Sequence, residues 1–592
     1  MNQLNAQQLE AVHHLEGPML VLAGPGSGKT TMITHRILHM IQERGIEERK
    51  IWVVTYTRAA AQEMRSRFLH LRGTDQTETA FGTFHSLFWK MLRDQRELRD
   101  RSILEEGEQL AAAKQILAHQ GDSNETTELA QWLLSRYEFF RNTGQERGER
   151  VEAQEIVWRR AYEEYKRERR KMDFDDILAA MKKALEQPNI RRSFQAQYQY
   201  FLVDEFQDVN PVQYEALKLL VGEGGNLFVV GDDDQAIYGF RGAAPGIMLR
   251  FPEDFPGCRV LSLRWNYRST SRIVEKSTKL IVHNRKRYPK AIEARQKKRG
   301  PRVRMRIFEE EKEEYRAIAR EAHRSPGLCV LFRTHSQMRP LLQSLEDYGI
   351  AYHTREHVYN PYAHWIGDDI LEYRRAALGD QTAFLGVLRR YGESIPLACI
   401  SWLREGENAK KILDYPMGIE LRTALTGLFY ELDHVRRESP ASSLHRIASR
   451  LHYFQYLQRV GERRGIDPAR LKQRYDFFQR MVSEYKTWEE WEENRRQKIQ
   501  ETMTAKSSDV LLLTMHAAKG LEFDTVWIPG LEEGMLPHER AEDLEEERRL
   551  LYVGCTRAKT RLILSRNLRR GGNQQSKSLF WTEIDEKRSD NL

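Results

Sequence analysis

The sequence predicts an α/β fold with two parallel, doubly wound sheets, each interrupted by a mainly helical insertion. Three observations carry that expectation. Short apolar runs at Met19–Leu22, Ile51–Tyr56, Thr79–Thr83, Phe201–Val203, Leu227–Val230 and Val260–Leu263 alternate with helix-forming sequence, as a parallel sheet with crossover helices demands. The pattern restarts after the basic turn at Gly300-Pro301, with strands expected at Val303–Phe308, Leu328–Phe332, Val510–Thr514, Thr525–Ile528 and Leu562–Leu564. Between these runs, at about residues 88–198 and 373–506, the texture becomes long, charged and helical, with interleaved signs that mark solvated helices. The expected lobes are residues 1–271 and 272–592. In ERGERVEAQEIVWRRAYEEYKRERRKMDFDD one packed face is expected to hold Val151, Ile156, Trp158 and Tyr162, and the residues after Trp581 are expected to fray.

At 592 residues the chain is long enough for several cores, and its 94 Lys and Arg against 86 acids, net +8, favour a polyanionic partner. The four cysteines, Cys258, Cys329, Cys399 and Cys555, lie far apart with no CxxC pair. That spacing argues against a disulfide framework and against a zinc or iron–sulfur site, and makes a reducing cytoplasm the expected compartment. The polar start MNQLNAQQLEAV and the lack of a long apolar stretch predict a soluble, unprocessed chain with no membrane span.

The apolar run Pro18–Leu22 feeds directly into AGPGSGKT, Ala23 to Thr30, and then into a helix. This is the layout of a phosphate cradle. Glycines let successive N–H groups converge on phosphate oxygens, a Lys reaches the terminal phosphates, and a hydroxyl holds Mg²⁺. The helix N-terminus adds unsatisfied N–H groups and a positive dipole end. Ala23 stands where the strict pattern has its first Gly.

FLVDEFQD, Phe201 to Asp208, is a buried strand that delivers Asp204 and Glu205 at its carboxyl end, where ligands of such sheets bind. One carboxylate can hold Mg²⁺ while its neighbour orients or deprotonates an attacking water. VVGDDDQAIYGFRGA, from Val229, ends another strand and offers the amide of Gln235, the aromatics Tyr238 and Phe240, and Arg241. An amide can sense a γ-phosphate, and aromatics beside an Arg suit single-stranded nucleic acid. Tyr56 and the TFHSL segment, Thr83 to Leu87, likewise place aromatic and polar groups at strand ends. WNYRS carries Arg268, and EEERRLLYVGCTRAK, in the far half, carries Arg557. An arginine supplied from a separate lobe makes phosphoryl transfer depend on closure.

Taken in order, LNAQQLEAV, AGPGSGKT, VVTYTRAAAQEM, TFHSL, DFDDI, VDEFQD, GDDDQAIYGFRGA, NYRS, TMHAAKGLEFDTVWIPGLEEG and EEERRLLYVGCTRA resemble the motifs of UvrD/Rep/PcrA-type superfamily 1 DNA helicases. The resemblance spans most of the chain. It implies two RecA-like motor lobes, ATP and Mg²⁺ between them, and 3′-to-5′ movement on single-stranded DNA. It also implies roles by position. Gln8 and Tyr267 hold the adenine and Glu522 the ribose. Ala23, Gly24, Pro25, Gly26, Ser27, Gly28, Lys29 and Thr30 wrap the phosphates, with Thr31 and Arg36 of the following helix also on the nucleotide. Thr30 and Asp204 hold the metal, Glu205 serves the water, and Gln235, Arg268 and Arg557 surround the γ-phosphate. Tyr56, Tyr238 and Phe240 stack on bases, while His85, Arg241 and His516 touch the strand.

The departures matter as well. Arg58-Ala59 stands where the family commonly shows Asn-Lys, and the second insertion lacks the glycine-rich duplex-contacting signature, with YGESIP near Tyr391 in roughly its place. The family's wedge hairpin is matched by the shorter SRNLRRGGNQQSKS, Ser565 to Ser578, with Gly571-Gly572 and basic residues at the expected tip, and no C-terminal extension is expected. The primary expectation is an ATP-dependent helicase or translocase acting on single strands and single-strand/duplex junctions, with self-association or a partner protein assisting unwinding. The alternative is a single-strand translocase that remodels partner proteins and unwinds little. Intact Lys29, Asp204, Glu205, Arg268 and Arg557 argue against a third reading, a regulatory protein with a decayed ATPase.

Overall fold

The computed structural model describes residues 4–93, 100–119, 126–146, 153–296, 299–354, 362, 364–391, 409–464, 468–501 and 510–585. The first sheet is parallel throughout, with strands in the order Ala80–Gly82, Ile51–Val54, Tyr200–Val203, Asn226–Gly231, Met19–Ala23 and Arg259–Leu263. Its central strands are apolar on both faces because helices cover both sides; every residue of Met19–Ala23 and Ile51–Val54 is buried. Val21 sits between Val230 and Leu261, which sets the AGPGSGKT loop beside Asp232 at the carboxyl edge. Asp204 leaves the same edge two strands away.

The second sheet orders its parallel strands as Arg304–Glu310, Ala558–Arg570, Phe523–Ile528, Cys329–Phe332 and Val510–Thr514. The strand expected at Leu562–Leu564 is far longer, running from Ala558 to Arg570 and then pairing antiparallel with Asn573–Gln574. The helix Ser271–Ile281 shares a core with this sheet: Ile273, Leu280 and Ile281 cluster with Leu513, Val526 and Leu551.

Two boundaries differ from the sequence expectation. Helix Phe174–Glu186 reads as part of the first insertion, yet its apolar stripe Ile177, Leu178, Met181 and Leu185 packs in the first sheet's core with Leu20 and Trp52. The insertion proper is built from Glu106–His119, Thr126–Thr143 and Ala153–Glu168, with a small strand pair, Ser102–Ile103 and Lys171–Met172. There Trp158 and Tyr162 stack at 5.1 Å in the core, but Ile156 is exposed, a correction to its expected burial. On a helix, position 156 lies about 200° from 158, so one stripe cannot hold both. Val151 lies outside the described residues.

Both sheets lie in one compact unit, and the second insertion, Tyr352 to Lys506, is a compact unit of its own, beginning before the expected residue 373. Its core gathers Tyr373, Tyr453, Tyr475 and Trp491 around a buried Asp369–Arg390 ion pair of 2.6 Å. The residues of YGESIP after Tyr391, and Cys399, lie outside the described residues. Cys258 and Cys555 are free thiols. From Trp581 to Asp585, the last described residue, the chain stays helical: Ile584 is buried and Glu583 pairs with Arg548 at 2.7 Å. Among the described residues no helix is long and apolar enough to cross a membrane.

Candidate active site

The AGPGSGKT loop turns on Gly26 and Gly28, with φ of +67° and +80°, a region only glycine enters without strain. Space tells the same story at Gly26, where a Cβ would sit 2.6 Å from that of Arg268. Gly28 caps helix Lys29–Gln42 without any side-chain hydrogen bond, so the first-turn N–H groups face the loop. Gln8, fixed by a reciprocal capping box with Asn5, donates from Nε2 to the Ser27 carbonyl at 2.9 Å.

The NYRS segment is laced to this loop. Tyr267 N–H donates to the Gly26 carbonyl at 2.8 Å, and Asn266 Nδ2 donates to that of Pro25 at 2.8 Å. Asn5 Nδ2 donates to the Tyr267 hydroxyl at 2.9 Å, which brings Gln8 and the 40 % exposed Tyr267 ring to one side of the cradle. Asn266 was missed in the sequence. Its Oδ1 also accepts the N–H groups of Arg268 and Ser269, so it sets the course of the whole segment.

Behind the loop, Lys29 Nζ donates to Glu205 Oε1 at 2.9 Å. Burial alone would raise the Glu205 carboxyl, but the charges of Lys29 and Lys519 outweigh it and hold the pKa down at about 2. Gln207 Nε2 donates to the other oxygen at 2.6 Å. Asp204 behaves oppositely: burial, then the charge of Glu205, pushes it up to about 7. The neighbours thus divide into an ionised carboxylate and one that binds a proton readily. Glu205 also holds φ at +52°, a left-handed conformation unusual outside glycine and of the kind that concentrates at functional sites. Among the described residues, the buried Asp204 Oδ1 has no hydrogen-bond partner. An unpaired carboxylate oxygen with the Thr30 hydroxyl is a hard oxygen set that fits Mg²⁺.

Residues of the second sheet close over this edge. Arg557, 1 % exposed, donates through Nη2 to Gln235 Oε1 at 3.0 Å, while Nε and Nη1 donate to the carbonyls of Val553 and Leu521. Burial, then the Arg268 charge, lowers its pKa to about 9, so it stays protonated at neutral pH. Gln235 Nε2 in turn donates to Asp232 Oδ2 at 2.6 Å. Arg268 Nε donates to Glu522 Oε2 at 2.8 Å, and Lys559 pairs with the other oxygen of Glu522 at 2.8 Å. Lys519, also missed in the sequence, pairs with Asp208 and donates to the Gln235 carbonyl at 2.8 Å. Lys290, buried among Asp232, Asp233 and Asp234, neutralises the acidic run that follows the strand.

The aromatic candidates meet as well. Tyr56 and Tyr238 stack at 4.8 Å with planes 13° apart, and the Lys519 ammonium lies 4.9 Å from the Tyr238 ring centroid. His516 packs edge-on to Phe240 at 5.5 Å, so the cluster draws on both sheets. His85 packs edge-on to Phe174, and burial, with the nearby Arg58 charge, lowers its pKa to about 4, which leaves it neutral. A cavity of about 980 Å³ connects Tyr56, His85, Tyr238, Phe240 and Arg241 to Glu205 and Asp208.

Arg36 is the exception. Rather than facing the nucleotide cradle, it is buried beneath the end of helix Ala6–His13, donating to the carbonyls of Ala11 and His14 with its guanidinium 4.1 Å from the Phe228 ring centroid. Thr31 stays next to the loop, its carbonyl accepting from Thr34 and His35.

The arrangement matches known proteins along its length. The UvrD/REP helicase N-terminal domain family matches residues 4–256, and the UvrD-like helicase C-terminal domain family matches residues 261–374 and 485–569. The chain is 32 % identical to YjcD of Bacillus subtilis, over 98 % of this chain and 80 % of that protein. It is 30 % identical to the ATP-dependent DNA helicase PcrA of Staphylococcus epidermidis, over 99 % and 87 % of the two chains. DNA helicase II of Rickettsia typhi is also 30 % identical, over 95 % and 92 %.

Proposed function

Because the chain belongs to the UvrD/REP helicase family, and is therefore an ATP-dependent DNA helicase, we propose that it moves 3′ to 5′ along single-stranded DNA by closing its two sheets on ATP. The observation that carries this reading is the Arg557–Gln235 hydrogen bond, which joins a cation of the second sheet to the γ-phosphate-sensing amide of the first.

In this reading the loop N–H groups and Lys29 hold the phosphates, while Gln8 and Tyr267 hold the adenine. Thr30 and Asp204 would hold Mg²⁺, which supplies charge neutralisation at the phosphates when bound. Glu205, kept ionised, accepts the proton of the attacking water. Arg268 and Arg557 stabilise the charge that develops on the transferred phosphoryl group. Glu522 takes the ribose hydroxyls and aims Arg268, whose guanidinium it already binds. Single-stranded DNA runs over Tyr56, Tyr238 and Phe240, with His85, Arg241 and His516 alongside. Hydrolysis with and without single-stranded DNA, together with unwinding of 3′-tailed against 5′-tailed duplexes, tests the proposal; preference for the 5′ tail would overturn the polarity.

A second reading, a translocase that displaces proteins and unwinds little, is favoured by the hairpin. Its turn is only Gly571-Gly572, and no aromatic occupies it.

A further inference from the structure

Helix Leu544–Thr556 touches one short segment of the first sheet's edge at two places. At its carboxyl end, Arg557 donates to Gln235. At its first turn, Glu546 Oε1 accepts the N–H of Gly239 at 3.0 Å. Between these two contacts Ile237 is fully buried in the second sheet's core, in one cluster with Leu550, Leu551 and Val553 of the same helix. Glu546 and Arg557, which make the two polar contacts, are about 16 Å apart along the helix axis, from 1.5 Å of rise per residue.

Gly239 opens the turn Gly239–Arg241, which presents Phe240 and Arg241, and it directly follows Tyr238, which stacks on Tyr56. Its lack of a side chain leaves room for the Glu546 carboxylate, which would have to move aside from a Cβ there. The carboxylate of Glu546 is thus seated against a backbone amide of the DNA-facing turn, on the same rigid helix that carries Arg557 to the phosphate.

We propose that Glu546 is a positioning residue that transmits nucleotide state to the DNA-contacting turn: when Arg557 follows the γ-phosphate, the helix carries Gly239, and with it Phe240 and Arg241, through the Glu546 hydrogen bond. The helix and the segment from Gln235 to Gly239 move together because they are joined at both ends and plugged in the middle. The inference rests on the proposed DNA path. It does not require Glu546 to touch either ligand.

The test uses the full chain and compares the parent with Glu546→Ala and Glu546→Gln, the latter keeping an acceptor oxygen. Three quantities are read: hydrolysis without DNA, its stimulation by a single-stranded oligonucleotide, and the change in oligonucleotide affinity caused by a non-hydrolysable ATP analogue. A coupling of this kind is worth about 5- to 150-fold. In Glu546→Ala the DNA stimulation and the analogue-induced affinity change should both fall by about tenfold, with DNA-free hydrolysis within about threefold of the parent; Glu546→Gln should restore most of both. A melting temperature recorded for each variant separates lost coupling from lost folding. Coupling that survives in a folded Glu546→Ala chain would overturn the inference. If the parent itself shows no DNA stimulation, the proposed function fails first and takes the inference with it.

Discussion

Arg557 and Gln235 lie 322 residues apart in the chain and 3.0 Å apart in space, with the Arg557 guanidinium donating to the Gln235 side-chain carbonyl. The proposed reaction centre therefore has no complete form on either sheet alone. Replacing Arg557 by Ala should lower kcat by about 10²- to 10³-fold while changing ATP affinity far less, because its charge acts on the transition state. A matched loss in affinity, measured by nucleotide titration, would assign Arg557 to ground-state binding instead.

Lys29 and Glu205, both at the carboxyl edge of the first sheet, are joined at 2.9 Å. Glu205→Gln should keep ATP binding and lose about 10²- to 10⁴-fold in hydrolysis, the contribution of a positioned base. Lys29→Ala should lose turnover altogether. Single-turnover hydrolysis by the Gln variant at near-parent rates would remove Glu205 from the role of base.

Tyr238 is covered on one face by Tyr56 and approached by the Lys519 ammonium. Tyr56→Ala or Tyr238→Ala should weaken single-strand binding by about 1–3 kcal/mol per stacked base with little sequence dependence. Arg241→Ala should instead flatten the salt dependence of binding by about one unit of slope. Equal affinities for parent and Tyr variants would reassign the pair to packing.

Glu314 supplies a pH prediction away from the nucleotide. It is fully buried, its oxygens accept from the Ser565 hydroxyl at 2.6 Å and from Asn567 Nδ2 at 2.8 Å, and burial pushes its pKa from 4.5 up to about 7. A carboxyl with a raised folded pKa contributes stability that is complete below its unfolded value and is lost as pH rises through the folded one. From pH 4.5 to pH 7 this single group should cost up to about 3 kcal/mol. Glu314→Gln should therefore show a shallower loss of stability between pH 5 and pH 8 in urea unfolding. Parallel slopes for the two chains would show that Glu314 does not titrate in this window.

Which features were legible in the sequence follows from how local their physics is. The phosphate cradle needs glycines, a Lys and a hydroxyl within eight residues, and the strand ahead of Asp204 is a continuous apolar run, so both could be read directly. Arg36 misled because it sits near the loop in sequence and returns to the same helix face as Lys29, yet two turns carry it about 10 Å along the axis, under another helix. Asn266, Lys519 and Glu546 were invisible because their partners are contributed by distant segments: Pro25, Asp208 and Gly239. Helix Phe174–Glu186 looked like insertion because charge patterning reports solvent exposure on one face and says nothing about which core receives the other.

On the proposed reading, the hairpin decides how well movement becomes unwinding. Separating base pairs costs on the order of 1–2 kcal/mol per step in lost stacking, so a motor needs a wedge or a grip on the duplex. Sequence reading placed Arg569 and Arg570 together at a basic tip, but Arg570 is turned back into the sheet, pairing with Glu532 at 3.1 Å and Glu311 at 3.2 Å. Arg569 and Gln574 face each other across the ladder, and Arg570 and Asn573 close it around Gly571 and Gly572, whose φ values of +55° and +83° make a two-residue turn. The projecting part is thus short, free of aromatic surface and limited to one outward arginine, which itself lies 4.0 Å from Glu309. A wedge of that kind has nothing to stack on an opened base pair. The monomer should translocate on single-stranded DNA readily but separate long 3′-tailed duplexes poorly unless a second copy or a partner protein assists. Single-turnover unwinding of a long 3′-tailed duplex, with a trap that blocks rebinding and translocation recorded in parallel, checks this; efficient strand separation by demonstrated monomers would show that a two-glycine turn is wedge enough.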